Sequence, residues 1–291
     1  MFKPHMGLQL ARFDAEDGLR IDGLLARTDS EITIIHVHGK CGDFYQNEFI
    51  SYMDDIYPSS GINFLSFNHR GHDCLAEGYL NGKVTYLGGS VERFEDTVID
   101  INAAIKYVSQ FSRRIILQGH SNGCEKILYY ATKVNSDIEL IMLSPSDSYR
   151  MQTYYIAPET VDHQLVRLKA QYNHRENEWL PPNEYGIKVE GKEYEIPVTA
   201  GSLISLLEGP AFRLLRYDEA WGREPLPTKL FAYVGGKDPY LGIPLDNLEV
   251  QLQKRIKDVT IGYLPEGNHH FKGLEREVLT LIVNWVLQKK D

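Results

Sequence analysis

The sequence predicts an α/β protein in which a mostly parallel central sheet is flanked by helices and interrupted by one inserted segment. Three observations carry this. From residue 32 onward short apolar runs alternate with stretches of helical spacing, the order that builds parallel strands joined by crossovers. Within that series Ile115, Ile116 and Leu117 lead into Gly119-His120-Ser121-Asn122-Gly123, a strand-turn-helix of the form G-x-S-x-G. The alternation breaks from Pro145 to about Pro227 and then resumes, as it does when one core carries an insertion.

The first elements are two alternating runs, residues 8 to 15 and 20 to 27, around Glu16-Asp17-Gly18, which read as a hairpin at a sheet edge. Residues 32 to 38 are apolar enough for a central strand, followed by the loop His38-Gly39-Lys40-Cys41-Gly42. A helix is expected from about Asn47 to Tyr57, ending at Pro58 and Gly61, then a strand at 62 to 67 and a polar loop over Asn68 to Cys74. Glycines at 78, 82, 88 and 89 make residues 78 to 90 read as loop. Ser90 or a neighbour is expected to cap a helix reaching about Gln110, with Phe94, Val98, Ile101, Ile105 and Val108 on its packed face.

After the Ser121 turn come a helix from Glu125 to Val134 and a strand from Ile138 to Leu143. Residues 145–227 are expected to form an inserted cap, with a hairpin across Gly191-Lys192 and a helical patch from Ser202 to Arg216; residues 1–144 and 228–291 are the core. Tyr149, Tyr154, Tyr155, Tyr172, Trp179, Tyr185 and Tyr194 fall in the insertion and need burial, which argues against a free linker. The last elements are strands at 229 to 235 and 259 to 264 and helices at 245 to 257 and 274 to 287.

Composition narrows the function. Of 291 residues 43% are hydrophobic and 24% charged, which excludes disordered and fibrous classes. The balance of 31 basic and 40 acidic side chains, net −9, argues against nucleic acid and anionic membranes as partners and leaves a small-molecule substrate. No apolar run has the length to cross a bilayer and the first residues lack the apolar centre of a signal peptide, so the expected compartment is the cytoplasm. Cys41, Cys74 and Cys124 cannot all pair and show no C-x-x-C spacing, so reduced thiols are expected. No feature sets an oligomeric state.

A serine hydroxyl attacks a carbonyl only when a base lies within hydrogen-bond reach and a carboxylate orients that base. Ser121 is the expected nucleophile, held out on a strained turn. Asp238, just past the strand ending at Val234, is the expected acid, with turn initiation before Pro239 as its alternative role. His270, past the strand ending at Leu264, is the expected base, because its spacing from Gly267 and the following Phe271 suit a turn into the last helix; the adjacent His269 is the alternative. The order Ser, Asp, His is the one that goes with a nucleophile elbow.

Oxyanion stabilisation requires backbone donors, expected from the N–H groups of Asn122 and Lys40, with Cys41 as the alternative. His36 and His38 are expected to be structural, and His69, His72 and His120 are poor metal ligands with only Asp73 as a nearby carboxylate. No metal and no cofactor are expected.

The His38-Gly39 loop, Asn68-His69-Arg70-Gly71-His72-Asp73, the Gly119 to Gly123 turn, Asp238 and His270 together resemble the α/β-hydrolase superfamily across all but the insertion. Residues 92 to 101, 117 to 126 and 143 to 147 further resemble a group that includes fungal siderophore esterases. The resemblance implies an ester, thioester or amide hydrolase that uses no cofactor. Acyl transfer or carbon-carbon bond cleavage with the same triad, and a ligand-binding homologue without turnover, are the other functions it allows. The sequence departs from many relatives at Asn122, where an apolar residue is common, and in its doubled histidine.

Overall fold

The computed structural model describes residues 7–46, 48–134, 137–149, 158–181, 187–189, 192–194, 197–209, 214, 226–241 and 244–288. In chain order they form β1 (Leu8–Asp14), β2 (Arg20–Ala26), β3 (Ile32–Val37), α1 (Glu48–Ser59), β4 (Asn63–Phe67), β5 (Ala76–Leu80), β6 (Lys83–Leu87), α2 (Thr97–Val108), β7 (Arg114–His120), α3 (Asn122–Val134) and β8 (Glu139–Leu143). Then follow α4 (Pro158–Gln171), β9 (Ile187–Val189), β10 (Lys192–Tyr194), α5 (Ala200–Glu208), β11 (Leu226–Gly235), α6 (Leu245–Gln253), β12 (Ile256–Leu264) and α7 (Glu275–Leu287).

Eight strands make one sheet in the order β1-β2-β4-β3-β7-β8-β11-β12. The β1–β2 hairpin sits antiparallel at the edge and β2 pairs antiparallel with β4, while every neighbouring pair from β4 to β12 is parallel. Parallel strands are covered on both faces, and β8 shows how the pleat divides them. Leu140 and Met142 enter the core shared with Ile101, Val108 and Ile127 of α2 and α3, whereas Ile141 and Leu143 enter the core shared with Met53 of α1 and Ile282 of α7. The strands thus aim their C-terminal ends at one rim, where open α/β sheets place their ligands.

Two local expectations are corrected. Residues 78 to 90 are not simply loop: β5 and β6 pair antiparallel, and Asn81 and Gly82 both take positive φ, 52° and 73°. An Asn-Gly pair in that conformation is a type I′ turn, the tight hairpin connection matched to strand twist, so these breakers close a hairpin. Nor does Ser90 cap α2. The helix starts at Thr97 after a 3₁₀ turn over Phe94–Asp96. Ser90 is held instead between loops, its N–H donating to the Cys74 carbonyl and its carbonyl accepting from Thr199.

In the insertion, Val161, Leu168, Tyr172, Leu180, Val198, Leu203 and Leu207 form a small core of their own. α5 ends at Glu208, short of the expected Arg216; residues 210–213 and 215–225 lie outside the described residues, as do residues 190–191 between the antiparallel β9 and β10. Of the aromatic residues expected to need burial, Tyr172 is in this core while Trp179 is 43% exposed; Tyr154, Tyr155 and Tyr185 fall outside the described residues. Among the described residues no helix is long and apolar enough to cross a membrane.

Candidate active site

The turn after β7 has the strand-turn-helix geometry of a nucleophile elbow. Ser121 has φ 56°, in the left-handed region that costs a non-glycine residue energy unless its surroundings hold it there. They do: its N–H donates to the Leu143 carbonyl at 3.0 Å and its carbonyl accepts from Cys124 at 2.9 Å. The flanking glycines are required by contact. A Cβ on Gly123 would lie 2.0 Å from the Val37 carbonyl oxygen, and one on Gly119 would lie 2.5 Å from that of Gly123. The loop after β3 closes over the hydroxyl, since a Cβ on Gly39 would come 3.3 Å from Ser121 Oγ. The chain segment carrying the Lys40 and Cys41 amides therefore begins against the nucleophile.

Asp238 and a histidine meet at the same rim. The loops after β11 and β12 are tied together by the N–H of Gly236 donating to Leu264 and that of Lys237 donating to Gly267, at 2.7 and 2.8 Å. The fully buried Asp238 carboxylate accepts from the Tyr240 N–H at 2.8 Å and faces His269 Nδ1 at 2.8 and 2.9 Å. His120, the residue before the elbow serine, donates from Nε2 to the His269 carbonyl at 2.8 Å, so the histidine backbone is tethered to the elbow.

The expected base, His270, is corrected to His269 in this pairing. The two lie in a turn closed by the Phe271 N–H on the Asn268 carbonyl, which leaves His269 buried against Asp238 and His270 exposed, while Phe271 is fully buried in the α1–α7 core. The His270 N–H donates to Asn268 Oδ1 at 3.1 Å. A neutral imidazole that directs Nδ1–H at a carboxylate carries its basic nitrogen at Nε2.

A family model described as protein of unknown function (DUF1749) matches residues 83–211. A comparison with curated proteins finds no match. Among solved structures, Est1E from Butyrivibrio proteoclasticus with ferulic acid bound is 15% identical, with a TM-score of 0.64 over 96% of this chain and 98% of that one. The mouse alpha/beta hydrolase domain-containing protein 10 gives 15% identity and a TM-score of 0.64 over 96% and 98%. The esterase Pf2001 from Pyrococcus furiosus gives 15% and 0.59 over 96% and 89%. The chain has the α/β-hydrolase fold.

Within this fold, the turn that carries Ser121 rests on a buried polar layer with no signature in the local sequence. Lys126 on α3, 1% exposed, donates to Glu92 at 2.8 Å and lies 3.4 Å from both ring nitrogens of His69. Burial would raise the Glu92 carboxyl, but the Lys126 ammonium prevails and holds it below its usual range. His69 donates to the His38 carbonyl and stacks on the His38 ring at 3.7 Å, and burial keeps both rings neutral. Lys126 stands amid the apolar spacing of α3, Ile127, Leu128 and Ala131 being buried beside it.

The other histidines also have separate places. His38 donates from Nδ1 to Gly39, His36 accepts from Gln118, and His72 faces Asp73. Asn122, the departure noted in the sequence, donates its side-chain amide to Glu125 at 2.7 Å. Ser148 also donates to that carboxyl, from its hydroxyl at 2.6 Å and its N–H at 3.1 Å, joining the first turn of α3 to the strand end that opens the insertion. Burial pushes the Glu125 carboxyl up to about 8 against these donors, so it is predominantly protonated at neutral pH. Beside Asn122 a narrow cleft runs between the core and α5, lined by Lys40, Glu92, Phe94, Ser202, Ser205 and Leu206.

Proposed function

We propose that the protein is a serine hydrolase that cleaves an ester, thioester or amide bond of a small molecule through an acyl-enzyme on Ser121. The observation that carries this is the pairing of His269 Nδ1 with the buried Asp238 carboxylate on the rim that holds the elbow. In this reading His269 Nε2 takes the Ser121 proton as Oγ attacks the carbonyl carbon. The N–H groups of Asn122 and Lys40 hold the oxyanion, and His269 returns the proton to the leaving group as the tetrahedral intermediate collapses. Water then repeats the sequence in reverse and frees the acid. Asp238 orients His269 and stabilises the imidazolium.

Residues 145–227 act as the cap in this proposal, with α5 forming one wall of the cleft beside Asn122. The test is a panel of short p-nitrophenyl esters, with an added alcohol acceptor to reveal acyl transfer. The expected result is a burst of nitrophenol followed by steady release of free acid. Absence of turnover across the panel, with no reaction towards a fluorophosphonate, would contradict the proposal.

A further inference from the structure

Two of the three cysteines face each other beside the oxyanion loop. Cys124 is fully buried and donates to the Gly119 carbonyl, but Cys41 and Cys74 are both partly exposed and near enough for each thiol to shift the other's acidity. The backbone brings them together: the N–H of Asp73 donates to the Gly42 carbonyl at 2.9 Å. Cys74 follows the donor and Cys41 precedes the acceptor, so the two cysteines flank this one backbone contact between the loops. The loops are held from behind as well, the N–H of Gly89 and of Ser90 donating to Asp73 and Cys74 at 2.9 Å each.

We propose that Cys41 and Cys74 are an oxidisable pair that a hydroperoxide closes into an intramolecular disulfide, and that this closure disables the Ser121 site. The effect on turnover rests on the proposed hydrolase reading; the disulfide itself does not. The Cys74 thiolate attacks the peroxide oxygen and breaks the O–O bond, giving a sulfenic acid and, after protonation, one water. Cys41 then loses its proton and attacks the sulfenic sulfur, expelling a second water. Two thiols are oxidised by two electrons and one hydrogen peroxide is reduced to two waters. The thiols are suited to these roles: the neighbouring Cys41 thiol brings Cys74 down to about 7 despite its burial, with help from Lys40, and the same proximity raises Cys41.

Closure reaches the nucleophile because a disulfide brings two sulfurs to about 2.05 Å, well inside the contact distance of two free thiols. Cys41 sits at φ 56° in a turn where the Gly42 N–H donates to Gly39, and Gly39 is the residue against Ser121 Oγ. A displacement of about 1 Å in a positioned catalytic group costs on the order of 10²-fold in rate.

The test is to treat the full chain with hydrogen peroxide, map its peptides under non-reducing conditions, and assay p-nitrophenyl ester turnover before oxidation, after it and after a thiol reductant, beside a Cys74→Ser variant. We expect a Cys41–Cys74 link, a fall in turnover of about 10²-fold that the reductant reverses, and a variant that keeps its rate through the same treatment. Separate oxidation of the two thiols with no link, equal inactivation of parent and variant, or linked protein with undiminished turnover would each overturn the proposal. The link is read by mass, so it is decided even if the esterase assay fails.

Discussion

Replacing Ser121 by alanine is expected to lower kcat on a short p-nitrophenyl ester by at least about 10⁴-fold, and His269→Ala by a similar factor. The two losses are not expected to add. A hydroxyl without a base and a base without a hydroxyl are equally unproductive, so the double variant should turn over no more slowly than Ser121→Ala alone. The comparison that gives this series its force is His270→Ala. His270 is exposed while His269 contacts the buried Asp238 carboxylate, so loss of the second imidazole should change kcat by no more than about tenfold, whereas loss of the first removes the base. Steady-state kinetics of the four proteins, with circular dichroism to show that each is folded, checks the expectation.

The largest expected effect on stability comes from Lys126→Ala. This substitution leaves the Glu92 carboxylate, whose side chain is 8% exposed, in the protein interior without its ammonium partner. Breaking a buried pair by removing one member costs about 3–5 kcal/mol, because the remaining charge is desolvated and uncompensated. Urea unfolding of parent and variant measures the difference. The pairing also predicts a pH dependence. The folded-state pKa of Glu92 lies below its ordinary value of 4.5, so the native state holds fewer protons here than the unfolded one. The stability it contributes is therefore present above pH 4.5 and lost as pH falls through the folded-state value. Lys126→Ala should remove that acid-side loss along with the stability.

Much of the core was legible because its strands and helices obey simple periodicities. β3, β7 and β8 are largely buried on both faces and carry short apolar runs, and α2 and α7 repeat their apolar residues at helical spacing. The β5–β6 hairpin was hidden by its glycines, since Asn81-Gly82 reads equally as a break or as a tight turn until the backbone conformation is seen. The choice between His269 and His270 turned on which of two central residues of one turn faces Asp238, which adjacent identical residues conceal. The Glu92–Lys126 pair and the meeting of Cys41 with Cys74 join residues distant in sequence, and no local pattern encodes such encounters.

The central claim is that Ser121 is a nucleophile activated by His269 and Asp238. Its most direct test is peptide mapping by mass spectrometry after reaction of the folded protein with a fluorophosphonate. One phosphonyl adduct is expected, on the peptide that contains Ser121, formed far more slowly in His269→Ala than in the parent. An adduct on a different residue, or a folded protein that hydrolyses esters while Ser121 remains unmodified, would contradict it.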